Sequence, residues 1–143
     1  LAYQEIVKFD LAGRHLLLVV QTTKRSAAYN ALGYLLAEQN KNLIEAVKLI
    51  TFALEKDPEN GAYLDSLGWA YYKQGQIKQA IKQLERAIKQ EPYSWEIQDH
   101  LGDAYLKDGK MKKALKFWGR AIELAPDNQV IQRKLQQNEV ESR

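Results

Sequence analysis

The chain has 143 residues, 45% of them hydrophobic and 27% charged, which is enough apolar material for a sizeable core and too little glycine and proline for a low-complexity polymer. Its 21 basic and 18 acidic residues nearly cancel, so the charge excess on which nucleic-acid binding draws is missing. There is no cysteine, which excludes disulfides and thiolate metal sites, and the longest apolar run, Leu16–Val20, is far short of the ~18 residues that span a bilayer.

One interval orders the rest. Pro58, Pro92 and Pro126 stand 34 residues apart, as do Ala46, Ala80 and Ala114, and Ala53, Ala87 and Ala121. Such a period in helical sequence predicts an all-α chain, an α-solenoid of stacked helix–turn–helix units. In chain order, residues 1–25 carry Ala12, Leu16 and Val19 where a second helix would bury them, with Lys24 in the place of a proline. They are expected to form a partial, degenerate unit, the cut end of a longer array. The unit at 26–60 has Tyr29, Leu32, Gly33, Ala46, Ile50 and Ala53, one extra residue in the Asn40–Asn42 turn, and Leu36 where the later units have tyrosine.

The unit at 61–94 has Leu64, Leu67, Gly68, Tyr71, Ala80 and Leu84, and that at 95–128 has Leu101, Gly102, Tyr105, Ala114 and Trp118, with Gln98 in place of a bulky apolar residue. In both, a first helix is expected to end at Gly75 or Gly109, where a left-handed residue carries no side-chain clash. Second helices are expected over Ile77–Lys89 and Met111–Leu124, stopped by the prolines just beyond. Gly68 and Ala80 are small enough for two antiparallel helices to approach closely. From Gln129 onward Leu135 stays in register while the sequence turns polar, which predicts a capping helix and tail over 129–143 and the end of the array.

So many residues in one phase resemble the tetratricopeptide repeat family, and the Asp65–Trp69 and Asp99–Asp103 stretches look like the C-terminal array of a larger bacterial member. The resemblance implies a right-handed superhelix of about three and a half repeats plus a capping helix. It also implies a concave groove lined by the first helices, an interaction module rather than an enzyme, and no cofactor. Carried onto this chain, the groove positions are Ala27, Asn30, Tyr34, Ala37 and Glu38, then Ala62, Asp65, Trp69, Tyr72 and Lys73, then Glu96, Asp99, Asp103, Leu106 and Lys107.

Tyr34, Trp69 and Tyr72 are expected to form an aromatic strip, and Asp65, Glu96, Asp99 and Asp103 an acidic one. Trp69 either offers rigid contact area to a ligand or packs on a neighbouring first helix and shapes the groove. Asp99 and Asp103, four residues apart on one helical face, repel each other, which a ligand's lysine or arginine would relieve unless Lys107 already does. Residues 95–108 carry four carboxylates against one lysine, and 110–124 five cations against one glutamate, so an acidic groove and a basic convex side are expected. Chaperone-binding members grip a C-terminal carboxylate with a basic clamp. Asn30, Tyr34, Ser66, Glu96 and His100 stand in its place here, and Glu96 would repel such a ligand.

Neither His15 nor His100 belongs to a metal motif, and there is no phosphate loop or nucleophile elbow. The expected partner is therefore a protein or peptide with apolar and basic residues. A scaffold that self-associates within a larger envelope- or secretion-related protein is the alternative. A third reading has Lys112, Lys113 and Lys116 meet anionic lipid or nucleic acid, but no aromatic platform accompanies them. The sequence names no compartment.

Overall fold

The structure, a computed structural model, describes Leu18, Val20, Gln21 and residues 25–141. Among them are seven α-helices: α1 (Ser26–Glu38), α2 (Leu43–Lys56), α3 (Gly61–Lys73), α4 (Ile77–Gln90), α5 (Trp95–Lys107), α6 (Met111–Leu124) and α7 (Gln129–Glu141). Each odd helix packs chiefly on the even helix that follows it, and each even helix packs on the next odd one. The odd helices also touch one another, α1 on α3 and α3 on α5. Every helix meets its sequence neighbours, as expected of a helical repeat solenoid. None of the described helices is long and apolar enough to cross a membrane.

Local chemistry sets the helix ends at the same interval as the core. Asn60, Ser94 and Asn128, 34 residues apart, each accept a hydrogen bond from the backbone N–H three residues on, at 3.1, 3.3 and 3.1 Å. Gly75 and Gly109 close α3 and α5 at φ +79° and +76°, and the following amides of Gln76 and Lys110 donate back to Tyr71 and Tyr105 at 2.9 Å. In the first pair Asn40 takes the left-handed role at φ 53°, and Lys41 N–H donates to Leu36 O at 2.9 Å. The extra residue there ends in Asn42, also left-handed, whose side chain accepts from Glu45 N–H at the start of α2.

The small residues are where the helices touch. A Cβ on Gly33 would meet Ile50 Cγ1 at 2.7 Å, one on Gly68 would meet Leu84 Cγ at 2.6 Å, and one on Gly102 would meet Trp118 Nε1 at 2.3 Å. Around these contacts lie two core clusters, one centred on Leu32, Leu36 and Ile50, the other on Leu84, Leu101 and Trp118, with Leu54 touching both. Leu36 is fully buried and fills the space that tyrosine takes in later pairs.

Two expectations change here. Gln98 is no blemish in the pattern: its Nε2 donates to Pro92 O at 3.3 Å, and Gln132 does the same to Pro126 O at 2.8 Å. Ala37, expected in the groove, is fully buried in the first cluster. Most of the partial unit expected over residues 1–25, including Ala12, Leu16, Val19 and Lys24, lies outside the described residues. Val20 is described, and it is buried in the first cluster. At the other end α7 anchors through Ile131, fully buried, and Leu135, while Gln136 and Gln137 are exposed.

Candidate functional site

Four-residue spacing gathers the candidates on one face of each odd helix: Asn30, Tyr34 and Glu38 on α1, Asp65, Trp69, Tyr72 and Lys73 on α3, and Asp99, Asp103 and Lys107 on α5, with Glu96 one turn earlier. Trp69 is the hub. Its ring stacks on Tyr72 with centroids 4.7 Å apart and on His100 at 4.2 Å. Its indole N–H donates to Glu38, and Lys73 Nζ lies over the ring at 5.2 Å. One side chain of α3 thus ties α1, α3 and α5 together. Tyr34, Trp69 and Tyr72 are all half-buried.

A ladder of ionic and polar pairs runs beside the rings. His100 Nδ1 of α5 and Asp65 Oδ1 of α3 are 2.7 Å apart. One step on, Lys134 of α7 reaches Asp99 at 2.8 Å and Asp103 at 2.9 Å. One step back the corresponding places hold Asn30 and Ser66, and neither is charged. Ser66 Oγ donates to its own helix at Ala62 O, and Asn30 Oδ1 is buried with no hydrogen-bond partner among the described residues. Asp103 also accepts from the indole N–H of Trp118 at 3.2 Å, which ties the ladder to the core.

This changes the acidic strip. The repulsion between Asp99 and Asp103 is relieved from within by Lys134, and neither a ligand nor Lys107 is needed; Lys107 is exposed. Asp65 is likewise engaged by His100. Of the acidic candidates, Glu38 and Glu96 remain exposed, Glu96 accepting from Ser94 Oγ at the start of α5. Ala27 and Ala62 are also exposed, and Leu106 is half-buried against the second cluster. Lys73 and Lys107 border a cleft of about 640 Å³ with Tyr72 and Asn40 at the other end of the face.

The electrostatics follow from this packing. Burial, reinforced by the charge of Glu38, pushes the Tyr34 hydroxyl up to about 12. Burial alone would lower the His100 imidazole, but the Asp65 carboxylate, with Asp99 and Asp103 behind it, outweighs that and raises it. Burial and the neighbouring Asp99 raise the Asp103 carboxyl despite Lys134. For Lys134, burial is outweighed by its two carboxylate partners, and its ammonium is raised.

Sequence reasoning missed His100 and Lys134 as partners of Asp65 and Asp99. The available signal was an acid followed 35 residues later by a base, twice over.

Comparison with known proteins places these features. Two family models described as tetratricopeptide repeat match the chain, one over residues 35–92 and one over 66–129, so that together they reach across 35–129. A TPR repeat-containing protein of Pseudomonas aeruginosa is 39% identical over 59 residues, which is 41% of this chain but only 10% of that protein. The TPR domain of Sgt2 from Aspergillus fumigatus superposes with a TM-score of 0.75 at 24% identity, covering 81% of this chain and 78% of that one. The first TPR of Spaghetti (RPAP3), bound to the HSP90 peptide SRMEEVD, superposes with a TM-score of 0.74 at 20% identity, covering 82% and 92%.

Proposed function

The chain belongs to the tetratricopeptide repeat family, and from that premise we propose that it is a non-catalytic protein-interaction module whose odd-helix face receives a segment of a partner protein. The observation that carries this reading is the half-exposed Tyr34–Trp69–Tyr72 strip, held rigid across three helices by Glu38, His100 and Lys73. Preorganised rings give contact area with little further entropy to lose on binding. The partner's apolar side chains lie on the strip, and its lysine or arginine meets Glu38 and Glu96. Asp65, Asp99 and Asp103 contribute field rather than direct contacts, because His100 and Lys134 already hold them. Asn30, with its unsatisfied Oδ1, and Lys73 and Lys107 at the far cleft complete the face.

This partner differs in charge from the ligand of one structural neighbour. The peptide SRMEEVD held by that protein ends in acidic residues, whereas on the face here the basic groups His100 and Lys134 are already engaged by Asp65, Asp99 and Asp103. The test is a nuclear magnetic resonance titration with short peptides that flank leucine or phenylalanine with lysine or arginine. Shifts at Tyr34, Trp69 and Tyr72, the Trp69 indole N–H included, are expected. Shifts confined to the even helices would end this reading.

A second reading, a scaffold within a larger bacterial protein, is favoured by one observation: the Pseudomonas match covers a tenth of a much longer chain. Sedimentation at rising concentration checks its self-association, and a strict monomer counts against it.

A further inference from the structure

The 34-residue period allows each joint of the solenoid to be compared with the next, and two equivalent joints on the side away from Trp69 differ. In the first, Arg86 of α4 donates to Glu59 at 3.2 Å and to Pro58 O at 3.4 Å, and Gln90 donates to the other oxygen of Glu59 at 3.2 Å. The glutamate of the turn thus straps the next even helix down. Thirty-four residues later Arg120 stands for Arg86, Leu124 for Gln90, and Tyr93 for Glu59. At the following turn an acid returns, Asp127. Of these three turn positions, 59, 93 and 127, the middle one alone carries no carboxylate.

The consequence is an open cleft of about 430 Å³, lined by Ile88, Pro92, Tyr93, Gln98, Arg120 and Leu124. Tyr93 is 84% exposed and Leu124 39%, two large apolar surfaces side by side with nothing over them. The Arg120 guanidinium lies over the Phe117 ring at 5.5 Å and has no carboxylate within ion-pair distance among the described residues. Gln98, 5% exposed, has its Nε2 held by Pro92 O, but its Oε1 is buried without a donor among the described residues. That orphaned acceptor has a cost that a donor from outside would remove. With Lys89 and Glu123 also lining it, the cleft carries two cations against one carboxylate, a net positive charge.

We propose that this cleft is a second docking site, for a partner segment that sets an aspartate or glutamate on Arg120 and a large apolar side chain between Ile88, Tyr93 and Leu124. The occupant supplies what Glu59 supplies one joint earlier, and a backbone N–H of the segment satisfies Gln98. The charge required is opposite to that required at the odd-helix face, so the two sites do not compete for one ligand. The proposal does not depend on the reading of the Trp69 face.

The probes are short synthetic peptides pairing glutamate with leucine or phenylalanine, beside a matched series with lysine for glutamate, titrated into the full chain with amide and side-chain shifts recorded. The glutamate series is expected to shift Tyr93, Leu124, the Gln98 side-chain amide and the Arg120 side-chain N–H, and the lysine series is not. Arg120→Gln, which keeps the stem over Phe117, is expected to lower the affinity about tenfold, and Arg120→Glu to turn the preference towards lysine. Tyr93→Glu restores the strap seen at Glu59 and is expected to abolish binding, while Trp69→Ala leaves it intact. The proposal is overturned if the glutamate series shifts none of these groups or if Arg120→Gln leaves affinity unchanged. A dimer that buries Tyr93 in sedimentation and cross-linking overturns it too, by assigning the cleft to a second copy.

Discussion

Asp65 and His100 lie 35 residues apart in sequence and 2.7 Å apart in space, and Asp99 and Lys134 repeat the relation at 2.8 Å. The pairs join successive odd helices on the face that carries Trp69. Their joint role is to fix the register of that face while consuming carboxylates a ligand would otherwise find free.

The first pair titrates. The His100 imidazole is raised in the fold, so its protonated form is the stabilised one. Its contribution to stability is fully present below about pH 6.5, the unfolded value, and is lost as pH rises through the folded value. Asp65→Asn removes the leading opposing charge and leaves the burial, so the His100 pKa is expected to fall. A nuclear magnetic resonance titration of the ring protons measures it, and an unmoved midpoint in Asp65→Asn would show that Asp65 is not the cause.

The second pair is structural. Lys134→Ala leaves Asp99 and Asp103, each 15% exposed, facing one another without a cation. A loss of roughly 1–3 kcal/mol is expected, concentrated in α7, which holds otherwise through Ile131 and Leu135. Hydrogen exchange of α7 amides should rise ahead of the rest. Lys107→Ala, at an exposed lysine outside the ladder, should do little by the same measure.

Three helical glycines sort themselves by their neighbours. Alanine for glycine in a helix gains about 1 kcal/mol of intrinsic propensity. At Gly102 the new Cβ would meet the Trp118 ring at 2.3 Å, a ring that is buried and tied to Asp103, so overpacking of about 1–3 kcal/mol wins and Gly102→Ala destabilises. Gly68→Ala, against Leu84, is expected to destabilise by a similar amount. At Gly119 nothing lies within 4 Å, so Gly119→Ala should stabilise by up to about 1 kcal/mol. Urea unfolding midpoints decide all three.

The helices were legible because Gly75 and Gly109 mark the turns, proline follows each second helix, and small residues stand where helices touch. The face was legible only in part. Which side chains point inward follows from helical spacing, and Trp69 could be named from it. Which carboxylates stay free depends on what the next odd helix brings across, and a base 35 residues away means nothing until two helices are set side by side. Gln98 shows the same limit: it read as a departure until Pro92 O was found on its amide, with Gln132 and Pro126 repeating the bond.

The most direct measurement is calorimetric binding of a basic–apolar peptide that shifts the Trp69 indole, compared between the wild-type chain and the folded double variant Trp69→Ala with Glu38→Lys. A loss of affinity of about tenfold or more, larger at low salt, is expected from removal of the central ring and reversal of the charge beside it. Equal affinity in the two proteins would contradict the assignment of the odd-helix face as the binding surface.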